Sequence, residues 1–274
     1  MPVIATNTSA NTALIYLNKN SAEQSKSLAK LSSGSRIVVA SDDAAGLAVG
    51  TKLKSDVTVL KQAAVNAVQG RSVLQTVDGT LSRVGDILQR MKSLAAQANS
   101  GSVDATGRGF IDTEYQQLNT EINSIATTTK FNGANIVDGS YNLNFQVGIA
   151  ATDIIAVNLS SVNVSTGTAG LNISTTNVST AALATTAQTA LDTAINKIST
   201  NRATVGALLS RFEYRGDVID SSIENLTAAQ SVIMDVDIAA EQSNLVSKQV
   251  LTEASIAALT QANQQKSSLL SLVR

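Results

Sequence analysis

Asp42-Asp43 is the first place in this chain where residue type and spacing could do chemistry, because two adjacent carboxylates suit acid–base work or a bound cation. They follow Ser41 and precede helix formers from Ala44 onward, which is where an N-cap belongs, and capping is the preferred reading. Asp235, Asp237 and Glu241 begin like a calcium loop, but Ala240 stands at the sixth position, where such a loop needs glycine. They read instead as a cap at a joint between helices. Gly107-Arg108-Gly109 lacks the preceding strand and the third glycine of a dinucleotide fingerprint, so a loop is expected there. The Asn-x-Ser/Thr triplets at Asn7, Asn158, Asn163, Asn172, Asn177 and Asn225 are what a chain rich in these residues yields by chance. Arg71, Arg83, Arg90 and Lys92 read as the solvated face of a helix.

Composition narrows the chemistry further. With no His and no Cys there is no disulfide, no zinc site of the usual kind and no Ser-His or Cys-His nucleophile. Catalytic, cofactor-binding and metal-ligating residues are accordingly expected to be absent, and the protein is not expected to be an enzyme. Lys+Arg 20 against Asp+Glu 21 gives a net charge of −1, which offers nothing to nucleic acid or to an acidic membrane. No run approaches the roughly 18 apolar residues of a membrane span. Met1 to Ser9 lacks the basic start and apolar stretch of a cleavable export signal, so export by another route or a soluble protein is expected.

Aromatics are only 3% of a chain that is 43% hydrophobic, and Pro2 is its single proline. A domain of this length usually carries on the order of a dozen prolines. Little therefore interrupts its helices, and the aliphatics fall in rows. Between Ala10 and Leu31 the leucines at 14, 17, 28 and 31 keep a 3-and-4 spacing, with Ser21 and Gln24 at the interrupted turns. Ser32 to Ser35 is a break. Leu53, Leu60, Ala67, Leu74, Leu81, Leu88 and Ala95 then sit seven apart. Their companion row moves from Val57 and Ala64 to Val77, Val84, Met91 and Ala98, the drift that 3.6 residues per turn imposes on a strict seven. Gly70, Gly79 and Gly85 mark where this helix is weakest, with a bend or interruption expected near Gly70.

A shorter helix is expected over Asp112–Ala126, ending in turn signals at Phe131-Asn132-Gly133 and Asp138-Gly139-Ser140. Tyr141 to Val147 alternates with period two. Ile154 to Val164 and Leu171 to Val178 are strand-like but dense in Ser, Thr and Asn, so they read as exposed hairpins with little core. Leu191, Ile195 and Ile198 reopen the helical pattern, and Phe212, Ile219, Leu226 and Ile233 repeat every seven. Beyond the Asp235–Asp237 joint, Ile238, Leu245, Thr252 and Leu259 share one row. The fold expected is mainly α: an elongated antiparallel helical bundle or coiled coil of N- and C-terminal helices, with a small β-hairpin region at about 131–180. Its end seams, holed by Ser21, Gln24 and Thr252, are expected to be completed by other copies.

Several blocks carry a resemblance. Leu31-Ser32-Ser33-Gly34-Ser35-Arg36-Ile37 and Ala40-Ser41-Asp42-Asp43-Ala44-Ala45-Gly46-Leu47-Ala48, followed by Gln89 to Ala95 and Lys130-Phe131-Asn132-Gly133, resemble the N-terminal signature of bacterial flagellins. Ser210-Arg211-Phe212-Glu213, Ala239 to Asn244, Gln261-Ala262-Asn263-Gln264 and Leu269 to Arg274 resemble the C-terminal block. The resemblance covers about the first half and the last third of the chain, in the right order. It implies a subunit that self-assembles helically into the flagellar filament used for swimming, exported without a cleavable signal and located outside the cell. Residues 1–42 with 236–274 would be the inner coiled-coil domain and 43–235 the outer-tube domain, in a minimal flagellin without large surface insertions. Subunit packing would fall to Leu14, Leu17, Leu28, Leu31, Leu53, Leu60, Leu74, Leu81, Leu88, Phe212, Ile219, Leu226, Ile233, Leu245 and Leu259. The family's partners would be further flagellin copies, the export apparatus, an export chaperone, and cap and junction proteins. Gln89, Arg90, Leu94 and Glu114 resemble the patch read by the animal innate-immune receptor, although Ser93 and Leu118 replace charged residues of the strongly recognised pattern. A hook–filament junction protein shares similar ends, and a secreted coiled-coil enzyme is the reading from another class.

Overall fold

The computed structural model describes the backbone of residues 6–271 and the side chains of 6–268. Pro2 and the last residues of the terminal motif, Leu272 to Arg274, lie outside the described residues, as do the side chains of Leu269 and Leu270. The described chain is mainly helical: α1 (Thr8–Ser33), α2 (Ala44–Ala98), α3 (Ala105–Thr128), α4 (Ala181–Met234) and α5 (Ile238–Ser271). Four short strands lie between α3 and α4: β1 (Lys130–Phe131), β2 (Ala134–Asn135), β3 (Asn142–Gln146) and β4 (Ile154–Asn158). They form two antiparallel pairs, β1 with β2 and β3 with β4. The chain divides into two compact units, one of residues 1–56 with 225–274 and one of residues 57–224.

In the first unit α1 and α5 run antiparallel, tied by Asn7 Nδ2 to the Ala262 carbonyl (3.1 Å), Asn20 Nδ2 to Ser255 Oγ (3.3 Å) and a Lys248–Glu23 ion pair. Each end has an identifiable cap. Asn7 accepts the Ala10 N–H (3.0 Å), and Gly34 closes α1 at φ 69, the left-handed conformation that glycine adopts without steric cost. Asp43 Oδ1 accepts the Gly46 N–H at 2.8 Å, and Asp237 Oδ1 accepts those of Ala239 and Ala240 at 3.0 and 3.1 Å. Both acidic clusters are caps, as their surroundings in the sequence indicate. The link after α1 then seals the end of α4, because Arg36 donates its backbone N–H to the Met234 carbonyl (2.7 Å) and its Nε to that of Ile233 (3.0 Å).

In the second unit α2 and α4 are antiparallel partners, pinned by Lys92–Asp192, by Arg202 Nε to Asp78 Oδ1 (2.9 Å) and by Asn99 with Thr185. The row of seven is its core: Leu60 is 4% exposed, and Leu74, Leu81, Leu88 and Ala95 are fully buried, facing Leu191, Ile198, Val205 and Phe212 of α4. α2 is uninterrupted at Gly70. The expected break is absent because that glycine is a socket: a Cβ on it would lie 2.6 Å from the Phe212 ring. Gly107-Arg108-Gly109 is helical, the first part of α3 rather than a loop. Asp104 caps it, and Arg108 bends back to the Ala98 and Ser100 carbonyls (2.8 and 3.2 Å), closing the end of α2.

The middle of the chain is better packed than its composition suggests. Val157, Leu159, Val162, Val164, Ile173 and Val178 are fully buried, and only Ile154–Asn158 of the two strand-like stretches is a strand. A stretch this polar can stay irregular and still bury its aliphatics because helix side chains satisfy its backbone. Asn119 Nδ2 donates to the Ile173 carbonyl (3.0 Å), Asn201 Nδ2 to that of Ser161 (3.2 Å) and Lys197 Nζ to that of Gly170 (2.6 Å). Asp112 Oδ1 accepts the Val178 N–H (2.8 Å), and burial raises the Tyr115 phenol while its hydroxyl meets Thr176 Oγ1 at 2.7 Å. The β3–β4 hairpin seats Phe145 edge-on against Phe212, with centroids 5.7 Å apart.

Candidate assembly surfaces

The seam between α1 and α5 is filled by the wrong residues for a self-sufficient coiled coil. On α1 the covered or half-covered positions are Ala10, Ala13, Leu17, Asn20, Gln24, Ser27 and Leu31, an unbroken 3-and-4 series. On α5 they are Glu241, Leu245, Lys248, Thr252, Ser255, Leu259 and Ala262, again 3 and 4 apart. The most buried of these include Asn20 (9%) and Ser27 (7%) beside Leu245 (7%). Few large aliphatics enter, so the apolar area that normally drives such pairing is small.

Those aliphatics are on the outside. Leu14, Ile15, Tyr16 and Leu28 of α1 are exposed, as are Val246, Val250, Leu251 and Ile256 of α5. Single exposed aliphatics are ordinary, but two helices that bury Asn and Ser while presenting Leu, Ile, Val and Tyr form a surface built for a partner. The sequence reading placed the polar interruptions at Ser21 and Gln24. The structure puts Ser21 in solvent and moves the buried holes to Asn20 and Ser27. The unbroken 3-and-4 step through Ala13, Leu17 and Asn20 was the available signal, and it is obscured when only leucines are followed.

Charge holds the seam where apolar burial does not. The Lys248 ammonium against Glu23 keeps that carboxyl below its usual range, and Lys30 reaches Glu241 at 3.9 Å. The Lys26 ammonium lies 2.6 Å from Asp42, whose carboxylate also accepts the Val38 and Val39 N–H groups, and its pKa is lowered accordingly.

The residues assigned to subunit packing fall into two sets. Leu60, Leu74, Leu81, Leu88, Phe212, Ile219 and Leu245 are buried within the chain itself. Leu14 (43%) and Leu28 (59%) are exposed, while Leu17, Leu31, Leu53, Leu226, Ile233 and Leu259 are half-buried. Of the four residues resembling a receptor patch, Arg90 and Glu114 meet in a 2.6 Å ion pair, Gln89 is exposed beside them, and Leu94, 2% exposed, belongs to the core beneath. No cluster of three or more acidic residues that could hold a metal occurs among the described residues, and no helix among them is long and apolar enough to cross a membrane.

Comparison with known proteins agrees with these surfaces. Residues 4–142 match the family model described as the bacterial flagellin N-terminal helical region, and residues 188–273 the bacterial flagellin C-terminal helical region. Over 98% of both chains the sequence is 38% identical to a flagellin of Bacillus subtilis. It is 35% identical to a flagellar filament 33 kDa core protein of Treponema phagedenis, over 99% of this chain and 100% of the relative. Among solved structures, a Bacillus cereus flagellin is similar at a TM-score of 0.50 and 32% identity, over 61% of this chain and 94% of that one.

Proposed function

Because this chain belongs to the bacterial flagellin family, it is a structural subunit that polymerises into the extracellular flagellar filament, and we propose that its first unit supplies the contacts that hold copies together. The observation that carries this is the inverted seam, with Asn20 and Ser27 inside and Leu14, Leu28, Val246 and Val250 outside. Covering an exposed aliphatic contributes roughly 1.5–3 kcal/mol, so several per copy suffice to drive association. In this reading Leu14 and Leu28, with the half-buried Leu17, Leu31 and Leu259, contact neighbours or the paired helix. Leu60, Leu74, Leu81 and Leu88 keep the subunit rigid enough to present those contacts. Residues 1–42 with 236–274 form the inner domain and 43–235 the outer one.

Passage through the flagellar export apparatus, with a chaperone and with cap and junction proteins as partners, completes the proposal, and a seam weak in isolation suits a chain that travels unfolded. The Arg90–Glu114 surface serves subunit packing first and the innate-immune receptor only weakly. The test is growth of purified protein on filament seeds, followed by electron microscopy, for the full chain and for one ending at Ser243. Growth of the first and none of the second, with the remaining helices still folded by circular dichroism, is expected. Equal growth of both would overturn the assignment of the contacts to the terminal helices.

A further inference from the structure

The second unit carries opposite charge on the two flanks of one helix segment. Glu213, Asp217, Asp220 and Glu224 of α4 are spaced 4, 3 and 4 apart and share one flank, while Arg211 and Arg215 share another. At 3.6 residues per turn the two sets lie roughly 170° apart, with the buried Phe212 and Ile219 between them. The acidic flank borders an open groove whose apolar wall is Val65 and Val68 of α2, 49% and 53% exposed, and Gly216 adds no side chain to it. Glu213, Asp217 and Asp220 line it against Arg71 alone, and none of these four has an ion-pair partner among the described residues. The basic flank is a ridge with Tyr214 (73%) and Val218 (53%) beside it. Arg215 is partly engaged, donating to the Val147 carbonyl (2.9 Å) with Asp153 at 3.8 Å, whereas Arg211 has no ion pair among the described residues.

We propose that this acidic groove receives the Arg211–Tyr214–Val218 ridge of a second copy of the chain. The inference rests on the filament reading and names a contact in the second unit that the terminal helices do not supply. Charge complementarity selects the occupant: an acidic, apolar-walled groove fits a basic ridge carrying exposed Tyr and Val, and the chain presents one of each. Because groove and ridge lie on nearly opposite sides of the same helix, the contact is head-to-tail, and a contact of that kind propagates rather than closing on itself. Complementary charge also fixes register and rejects wrong pairings more than it adds affinity.

The experiment is seeded polymerisation of four full-length proteins, read as the critical concentration by sedimentation: the unaltered chain, Arg211→Asp, Asp217→Arg, and both substitutions in one chain. All the altered positions are exposed, and the melting of each monomer checks that it folds. Each single reversal is expected to raise the critical concentration by about tenfold or more, and the double exchange to restore it to within about threefold of the unaltered chain. If the unaltered chain polymerises and the single reversals match it, or if the double exchange is no better than either one, the groove–ridge contact is overturned while the filament reading stands. If the unaltered chain forms no filament on seeds, both fall together. A variant that fails to fold is replaced by the milder Arg211→Gln or Asp217→Asn, for which a smaller rise in the same direction is required.

Discussion

The ring of Phe212 fills the space that a side chain on Gly70 would occupy: a Cβ built there lies 2.6 Å from two ring carbons. Glycine in a helix interior costs about 1 kcal/mol relative to alanine, so helix propensity alone favours Gly70→Ala. The ring cannot yield, because Phe212 is 2% exposed and also meets Phe145 edge-on. Overpacking costs about 1–3 kcal/mol and outweighs that gain. Gly70→Ala is therefore expected to lower the melting temperature, and Phe212→Leu in the same chain to reduce the penalty. The four-protein melting comparison checks it, and additive effects would show that the two residues do not share a socket.

Gly70 also shows what the sequence left hidden. The row from Leu60 to Leu88 was legible because a period of seven over so many turns has only one physical meaning, a long buried helix face. The glycine within it reads locally as a weak point, and only the facing ring of Phe212 turns it into a contact. The caps at Asp43 and Asp237 were legible because capping is a local interaction. The buried stretch from Leu159 to Val178 was not, because its backbone partners, Asn119, Lys197 and Asn201, are supplied by distant helices and leave no periodic trace. The assembly surface lay between these extremes. The exposed leucines are visible as letters, but their exposure depends on Asn20 and Ser27 taking the seam.

Asn20→Leu tests that exchange. Leucine at a covered seam position adds apolar burial in place of a single 3.3 Å hydrogen bond to Ser255, and the expected gain is about 1 kcal/mol for α1–α5 pairing. Hydrogen exchange along α1 and α5 of the monomer should slow by several-fold. Faster exchange would mean that the asparagine bond outweighs the added burial.

Acid should loosen the same pair of helices. The carboxyls of Glu23 and Asp42 have folded-state pKa values below their ordinary values of 4.5 and 3.8, chiefly through the hydrogen bonds from Lys248 and Lys26 respectively. A depressed folded pKa contributes stability that is fully present above the ordinary value and is lost as pH falls through the folded one. Proteolysis of the monomer within α1 and α5 is thus expected to be flat with pH above about 5 and to accelerate below about 4. Glu23→Gln should flatten the part of that profile that belongs to the Lys248 pair. An unchanged profile would show that the pair contributes nothing measurable, the usual fate of exposed ion pairs.

Leucines of the two sets should respond in opposite ways. Leu28 and Val250 are 59% and 58% exposed, so Leu28→Gln and Val250→Gln remove no contact within the subunit, and glutamine is a good helix former. Monomer stability should change by no more than about 0.5 kcal/mol. In the filament each substitution removes an aliphatic contact of roughly 1.5–3 kcal/mol, enough to raise the critical concentration by about tenfold or more. Leu74→Ala is the contrast: that side chain is fully buried, and its loss should cost the monomer about 2–5 kcal/mol before assembly enters. Thermal melting of the monomers and sedimentation after seeding separate the two effects. Unchanged polymerisation by both exposed-site variants would mean that the outer faces of α1 and α5 remain in solvent in the filament, and the contacts between copies would have to be sought elsewhere on the chain.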